Sequence, residues 1–311
     1  MASIVHLHNG DVVAQLAIRA GIPGEHLAFR EVLSAGPVTP GDDFLATRAR
    51  FIAEHYGTDV LRASNDLFQQ EERFSALATD DSEIVLWFEH DLFCLANFLY
   101  LLQRFPGKPL SYVWHSTPLG QLEEHELYEL YTTRMPVTPP MLSDALGAWR
   151  DYTAHDPRAL NDWLERGHSD FPFLRDGLTL HAMRFPSTKN GLGIVETRAL
   201  YLIGAGISDL ASLFPRLDSE PPRLGFGDTE VLRHLRSLAN RAVPLITLSE
   251  APPKAIFSLT EAGENVLRGD VDDTRINDPD VWLGGAHVTK ETMWRWDDKQ
   301  RRIVVSLSLV S

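Results

Sequence analysis

Residues 83–93, E-I-V-L-W-F-E-H-D-L-F, constrain the fold more than any other stretch of the chain. Ile84 to Phe88 form an unbroken apolar run too short for a helix. That is the pattern of a strand buried on both faces, as in a parallel sheet. Glu89, His90 and Asp91 follow at once, and an apolar helical pattern then runs to Leu102. Ligands of open α/β sheets sit beyond the carboxyl ends of the strands, so the triplet lies where a site is expected.

Three further apolar segments, residues 4–7, 27–29 and 110–114, alternate with helical patterns over 12–20, 43–56 and 59–77. The alternation predicts a doubly wound, Rossmann-like parallel sheet of about four strands over residues 1–118, with all four strand ends on one rim. Residues 119–188 show four helical patterns, with Pro139, Pro157 and Pro172 at early helical or turn positions, and no strand. They are expected to form a helical connector or a cap over the rim. Residues 189–311 show helices over 196–203, 208–214 and 228–241, then short strands at 245–246 and 256–257 around Ala251-Pro252-Pro253. A helix opened by L-T-E-A-G-E-N-V-L follows, and the set resembles the winged-helix module. The remainder, including residues 303–309, reads as a small antiparallel β extension. Trp282, Trp294 and Trp296 are expected to pack it in place.

A chain of 311 residues has room for two cores. A formal charge of −14 argues against a main task of wrapping nucleic acid or anionic membrane. The acidity is uneven: 14 Lys/Arg and 26 Asp/Glu in residues 1–188 give −12, against 15 and 17, or −2, in 189–311. Nucleic acid is therefore expected to bind weakly, if at all, and through the winged helix. The lone cysteine, Cys94, excludes an internal disulfide and reads as a packed small residue. No apolar stretch approaches the roughly 20 residues of a membrane span, so a cytoplasmic protein without membrane contact is expected.

Polar clusters stand at all four predicted strand ends: Asn9-Gly10-Asp11, Arg30-Glu31, Glu89-His90-Asp91 and His115-Ser116-Thr117. Each has a plain structural reading: Asp11 and Asp91 as helix N-caps, Asn9-Gly10 as a tight turn, His115 as a hydrogen-bonded rim residue. Their convergence on one rim points to a shared pocket for a small molecule or nucleotide. Asp11, Glu89 and Asp91 offer hard oxygen ligands suited to Mg²⁺ or Mn²⁺, with Glu31 as a further ligand or a water-orienting base. His90 and His115 are the candidate proton-transfer groups, since imidazole titrates near neutrality. Asn9, Gly10, Arg30 and Ser116 are the expected substrate contacts. The acids resemble the toprim arrangement of metal-dependent nucleases, with Asp and then Glu-x-Asp in place of Glu and then Asp-x-Asp. No nucleotide-cofactor motif is present: G-x-x-x-x-G-K-[ST], G-x-G-x-x-G after the first strand and C-x-x-C are all missing.

H-L-H-N-G-D, R-E-V-L-S-A-G-P and W-F-E-H-D-L-F resemble the bacterial family catalogued as domain of unknown function 1835. N-G-L-G-x-x-E-T-R, G-D-T, L-T-x-x-G-x-x-V-L and W-L-G-G-x-H resemble the C-terminal region that often accompanies it. Val12 and Ala96 depart from that family's usual serine and glutamine. The resemblance implies the domain layout and carries no activity. The leading expectation is a metal-dependent enzyme acting on a phosphate-bearing substrate, nucleotide or nucleic acid. The alternatives are a ligand-sensing DNA-binding regulator and a protein-contact adaptor without catalysis.

Overall fold

The computed structural model describes residues 3–166, 171, 173–218, 223–249 and 255–305. The chain divides into two compact units, Met1–Thr153 with Arg166–Gly177, and Ala154–Glu165 with Leu178–Ser311. Residues 119–188, expected as a separate connector, are shared between these units.

The first unit runs β1 (Ile4–His8), α1 (Asp11–Arg19), β2 (Glu25–Ala28), α2 (Phe44–Tyr56), α3 (Val60–Leu77), β3 (Glu83–Glu89), α4 (Leu92–Arg104), β4 (Leu110–His115), α5 (Glu124–Thr132), β5 (Met135–Pro136) and α6 (Pro139–Tyr152). The sheet order is β2-β1-β3-β4-β5. β1 is parallel to both β2 and β3, and β3 is parallel to β4, so the four expected strands do end on one rim. β5 adds an antiparallel edge that corrects the strand-free reading of residues 118–186. A two-residue strand ending in proline leaves no alternation to detect.

The central strand is buried as its composition requires: Ile84 to Phe88 are all at 0% exposure. Val85 and Trp87 pack with Val13, Leu16 and Ala17 of α1 and Leu127 of α5. On the opposite face Phe98 of α4 meets Phe88 and Tyr112, with ring centroids 5.4 and 6.0 Å apart. Helices therefore cover both faces. The order reverses between β1 and β3, one leading to β2 and the other to β4, and that switch point is where such sheets open a crevice.

The second unit contains α7 (Asn161–Glu165), and α8 (Leu174–Ala182) leads into the rest of it. There follow α9 (Ile194–Gly204), α10 (Leu210–Leu217), α11 (Asp228–Ala239), β6 (Ile246–Leu248), β7 (Phe257–Leu259) and α12 (Glu261–Arg268). Then come β8 (Val281–Leu283), β9 (Ala286–Val288), β10 (Trp294–Asp297) and β11 (Arg302–Val305). β6–β7, β8–β9 and β10–β11 are antiparallel pairs. Thr260 caps α12 by accepting from Gly263 N–H at 3.0 Å. A Cβ on Gly263 would lie 2.0 Å from the Leu245 carbonyl oxygen, so that glycine is required by close approach of two backbones. The Ala251-Pro252-Pro253 turn, Pro172 and the end of the last expected strand, residues 306–309, lie outside the described residues.

Candidate metal-binding site at the ends of β1 and β3

At the end of β3 the chain turns within three residues into α4, and local bonds hold the turn. His90 N–H donates to the His115 carbonyl at 3.0 Å and Asp91 N–H to the Glu89 carbonyl at 3.0 Å. Asp91 is extended and caps α4, its Oδ1 accepting from Cys94 N–H at 2.7 Å. The cap brings the Cys94 side chain beside the two acids. Glu89, Asp91 and Cys94 each offer one ligand atom within 4.8 Å of the others.

Electrostatics make this cluster uneasy without a cation. Burial raises the Glu89 pKa, opposed by the Leu119 N–H that donates to its Oε1 at 2.9 Å and by the charge of His115. Burial, together with the neighbouring Asp91 and Glu89 charges, pushes the Cys94 thiol well above its ordinary value. A bound divalent ion reverses both effects, since it favours the carboxylate and the thiolate. Two carboxylate oxygens and one sulfur form a mixed donor set. Mg²⁺ demands oxygens in near-octahedral array, whereas a thiolate selects a softer ion. Of the two expected ions, the residues present fit Mn²⁺ better than Mg²⁺.

Asn9 reaches this cluster from β1. Its Nδ2 donates to Cys94 Sγ at 2.9 Å, and its Oδ1 accepts from Asn97 Nδ2 at 3.1 Å. Asn97 also donates to the Glu31 carbonyl and accepts from Leu33 N–H, tying the loops after β1 and β2 to α4. Gly10, with φ +118° and ψ 167°, is the N-cap of α1 in an extended conformation that favours glycine, so the expected tight turn at Asn9-Gly10 is a bend.

Two of the expected carboxylates are committed elsewhere. Asp11 is exposed and held by a two-pronged Arg30 contact, Nη2 to Oδ1 at 2.5 Å and Nε to Oδ2 at 3.0 Å. That hydrogen bond lowers the Asp11 pKa, against a small effect of burial. The pair borders a separate recess of about 400 Å³ beside β2 and α3. Glu31 is buried against Arg48, with contacts of 2.6 and 3.1 Å. The anticipated four-carboxylate set thus becomes two carboxylates and a thiol.

The histidines flank the cluster differently. The His90 ring lies 3.8 Å from that of Phe173, and its Nδ1 accepts from Trp114 Nε1 at 3.3 Å. His115 pairs with Glu89 across β3 and β4, and its Nδ1 accepts from Thr117 N–H at 3.1 Å. Ser116 is exposed on the same turn.

Sequence reasoning missed Asn97 and Arg48, and for Cys94 it favoured packing over a reactive thiol. The available signals were a polar residue inside the apolar α4 pattern and the i, i+3 spacing of Asp91 and Cys94. It counted Glu230 and His234 only in the charge of the expected recognition helix, and met Glu196 only within N-G-L-G-x-x-E-T-R. In the second unit His234 Nδ1 lies 2.8 Å from Glu196 Oε1 and its Nε2 3.5 Å from Glu230 Oε1. Among the described residues, no helix is long and apolar enough to cross a membrane. No protein-family model matches the chain, and no curated protein matches it.

Proposed function

We propose that the first unit binds a divalent ion, Mn²⁺ in preference to Mg²⁺, and acts on a phosphate-bearing substrate, a nucleotide or nucleic acid. The observation that carries this reading is the convergence of Glu89, Asp91 and Cys94 at the topological switch point. A bound ion there would neutralise phosphate oxygens and lower the pKa of water. Asn9 steadies the sulfur by its N–H, and Asn97 holds Asn9 in that orientation. His115 pairs with Glu89 across β3 and β4, His90 follows Glu89 directly, and both are half-buried, so these two are the proton carriers of the reading. Glu31 serves as an anchor for the loop after β2 instead of a ligand, because Arg48 engages both its oxygens. A free thiol at Cys94 accords with a reducing, cytoplasmic setting.

Calorimetric titration with Mn²⁺ tests the reading on wild type, Glu89→Gln, Asp91→Asn and Cys94→Ser. Asparagine keeps the α4 cap, so Asp91→Asn separates ligation from capping. Wild type should bind one ion, with affinity lost in Glu89→Gln and Asp91→Asn while thermal melts stay close to wild type. Absence of Mn²⁺ binding in wild type, or equal binding in all four proteins, sinks the proposal.

The regulator reading has one specific support. α9, the Asp209–Ile256 bridge, α10, α11, β6 and β7 follow the chain order of a winged helix. The charges of α11 and of Arg241, just beyond its end, weigh against DNA contact. Arg233 is engaged by Glu230 and Arg241 by Asp273, leaving Arg236 as the exposed one of the three arginines. Non-specific DNA affinity grows with the number of phosphates neutralised, so this helix is poorly equipped for it.

A further inference from the structure

β2 is an edge of the sheet, joined to β1 by a short parallel ladder. Three imidazoles fasten it there. His6 and His8 of β1 are at 0% exposure, and the half-buried His26 of β2 stacks on both rings, with centroids 4.5 and 5.2 Å apart. Gly24 lets the chain close over them, since a Cβ there would lie 2.7 Å from the Ile4 carbonyl oxygen and 3.0 Å from the His6 ring.

The partners fix where each proton sits. His6 Nε2 lies 3.0 Å from the Pro23 carbonyl, and His26 Nε2 lies 3.0 Å from the Ile22 carbonyl. A carbonyl only accepts, so both nitrogens carry the hydrogen. His6 Nδ1 accepts from Trp87 Nε1 at 3.0 Å. In the neutral His26 ring Nδ1 is an acceptor, so His8 Nε2, 2.9 Å away, is its donor. The chain ends on His8 Nδ1, a buried nitrogen with no hydrogen-bond partner among the described residues. All three rings are thereby held neutral.

An added proton is unwelcome at every nitrogen left. On His6 Nδ1 it displaces the Trp87 N–H, on His26 Nδ1 it displaces the His8 N–H, and on His8 Nδ1 it makes a buried donor without an acceptor. Glu83 favours a charge on His6, but Arg134 engages it at 3.1 and 3.2 Å, and both Arg134 and His26 oppose that charge. The charges acting on His8 are those of His26 and His6. From α5, Tyr131 meets the His6 ring edge-on at 5.5 Å. α1 presents Val13, Leu16 and Ala17 to this face, with Asp11 turned to Arg30 and Arg19 to Glu124.

From this arrangement we infer that His6, His8 and His26 form an acid-operated latch, which holds β2 on the sheet at neutral pH and releases it when the imidazoles take up protons. The ring bonds to the Ile22 and Pro23 carbonyls tie the turn before β2, and the His8–His26 bond ties the strand itself. Releasing an edge strand breaks one ladder, whereas β3 and β4 each keep a neighbour on both sides. β2 leads directly to Arg30 and Glu31, so its release also loosens the Arg30–Asp11 pair. The latch is independent of any metal at the Glu89 cluster. Burial places the His6 pKa at about 4 and that of His8 well below its ordinary value, so opening takes up protons and is favoured below about pH 6.5.

Hydrogen-exchange mass spectrometry of the full chain between pH 7 and 5, corrected for the intrinsic pH dependence of exchange, tests the latch. Protection of residues 25–29 should fall by up to about tenfold per pH unit for each of His6 and His8, while residues 84–88 and 110–114 keep theirs. His8→Phe removes one of those protons and should make the fall shallower by about tenfold per pH unit. The slope is the readout, so a variant less stable at every pH does not imitate the result. Should that variant fail to fold, ring-proton NMR of wild type decides, with His6 and His8 expected to titrate more than about one pH unit below the ordinary value. Four results overturn the inference: β2 protection independent of pH, equal loss across β2, β3 and β4, an unchanged slope in folded His8→Phe, or ordinary titration of both rings in the folded chain.

Discussion

Replacing Arg48 by methionine should open the loop that leaves β2. The Arg48 side chain is at 0% exposure and that of Glu31 at 4%. All five guanidinium N–H groups are used. Two go to the Glu31 carboxylate and three to the carbonyls of Ala35, Pro37 and Val32, at 2.7, 3.1 and 2.9 Å. The guanidinium also lies 4.7 Å from the centroid of the Phe51 ring. Methionine conserves much of the volume but leaves a buried carboxylate with Val32 N–H, at 2.8 Å, as its remaining donor among these contacts. Breaking a buried pair from one side costs about 3–5 kcal/mol, because an uncompensated charge stays in the interior. The three orphaned carbonyls add to that cost unless the loop opens to water. Opening is therefore the expected response, with amide exchange accelerating across residues 32–36. Glu31→Leu combined with Arg48→Met removes both charges and should recover about 2 kcal/mol relative to the sum of the singles. Urea unfolding measures the energies, and exchange mass spectrometry assigns them to this loop, which matters for a chain of two units. A cost below about 1 kcal/mol with unchanged exchange refutes the reasoning. Glu31 would then return as an available carboxylate at the rim.

Three other expectations are open to direct measurement. Burial lowers the His6 pKa to about 4, with the neighbouring His26 charge acting the same way, and holds His8 well below its ordinary value. The unfolded chain then binds more protons than the folded one, so stability is complete above about pH 6.5 and falls towards pH 4 by about 1.4 kcal/mol per pH unit for each histidine. Urea midpoints between pH 7 and 5 should show that slope and His8→Phe should reduce it; a flat wild-type profile contradicts it. For His234 burial acts downward, but the hydrogen bonds to Glu196 and Glu230 outweigh it and raise the pKa. Its contribution is complete below pH 6.5 and is lost as pH rises through the raised value, so His234→Gln should destabilise the second unit more at pH 6 than at pH 9, and an equal loss at both excludes the ion pair as the cause. Gly263→Ala forces a Cβ against the Leu245 carbonyl and should cost about 2 kcal/mol or more in thermal melts; a neutral effect means that the two backbones separate freely.

Much of the framework was legible because it depends on short-range regularities. The unbroken run Ile84 to Phe88 specifies a strand covered on both faces, since no polar face remains to meet water. Asp91 and Thr260 announced helix starts, and each accepts from an N–H in the first turn of its helix, whereas Asp11, read as a cap in the same way, is the first residue of α1 and makes no cap. The alternation of strands and helices sufficed for four parallel strands with their ends on one rim. β5 escaped because two residues carry no period.

The site was half legible, for a different reason. The sequence alone determined that Asn9, Glu31, Glu89 and His115 follow strands sharing one rim. Only the tertiary structure decided which charges are committed. Glu31 is matched by Arg48 seventeen positions away, Asp11 by Arg30 at nineteen and Glu196 by His234 at thirty-eight. Likewise Cys94 joins Glu89 and Asp91 because capping folds α4 back towards the strand end. Secondary structure answers to neighbours a few residues apart. Charge pairing answers to distance and burial, where the interaction of two ions rises steeply as water is excluded, and neither quantity exists until the chain has folded.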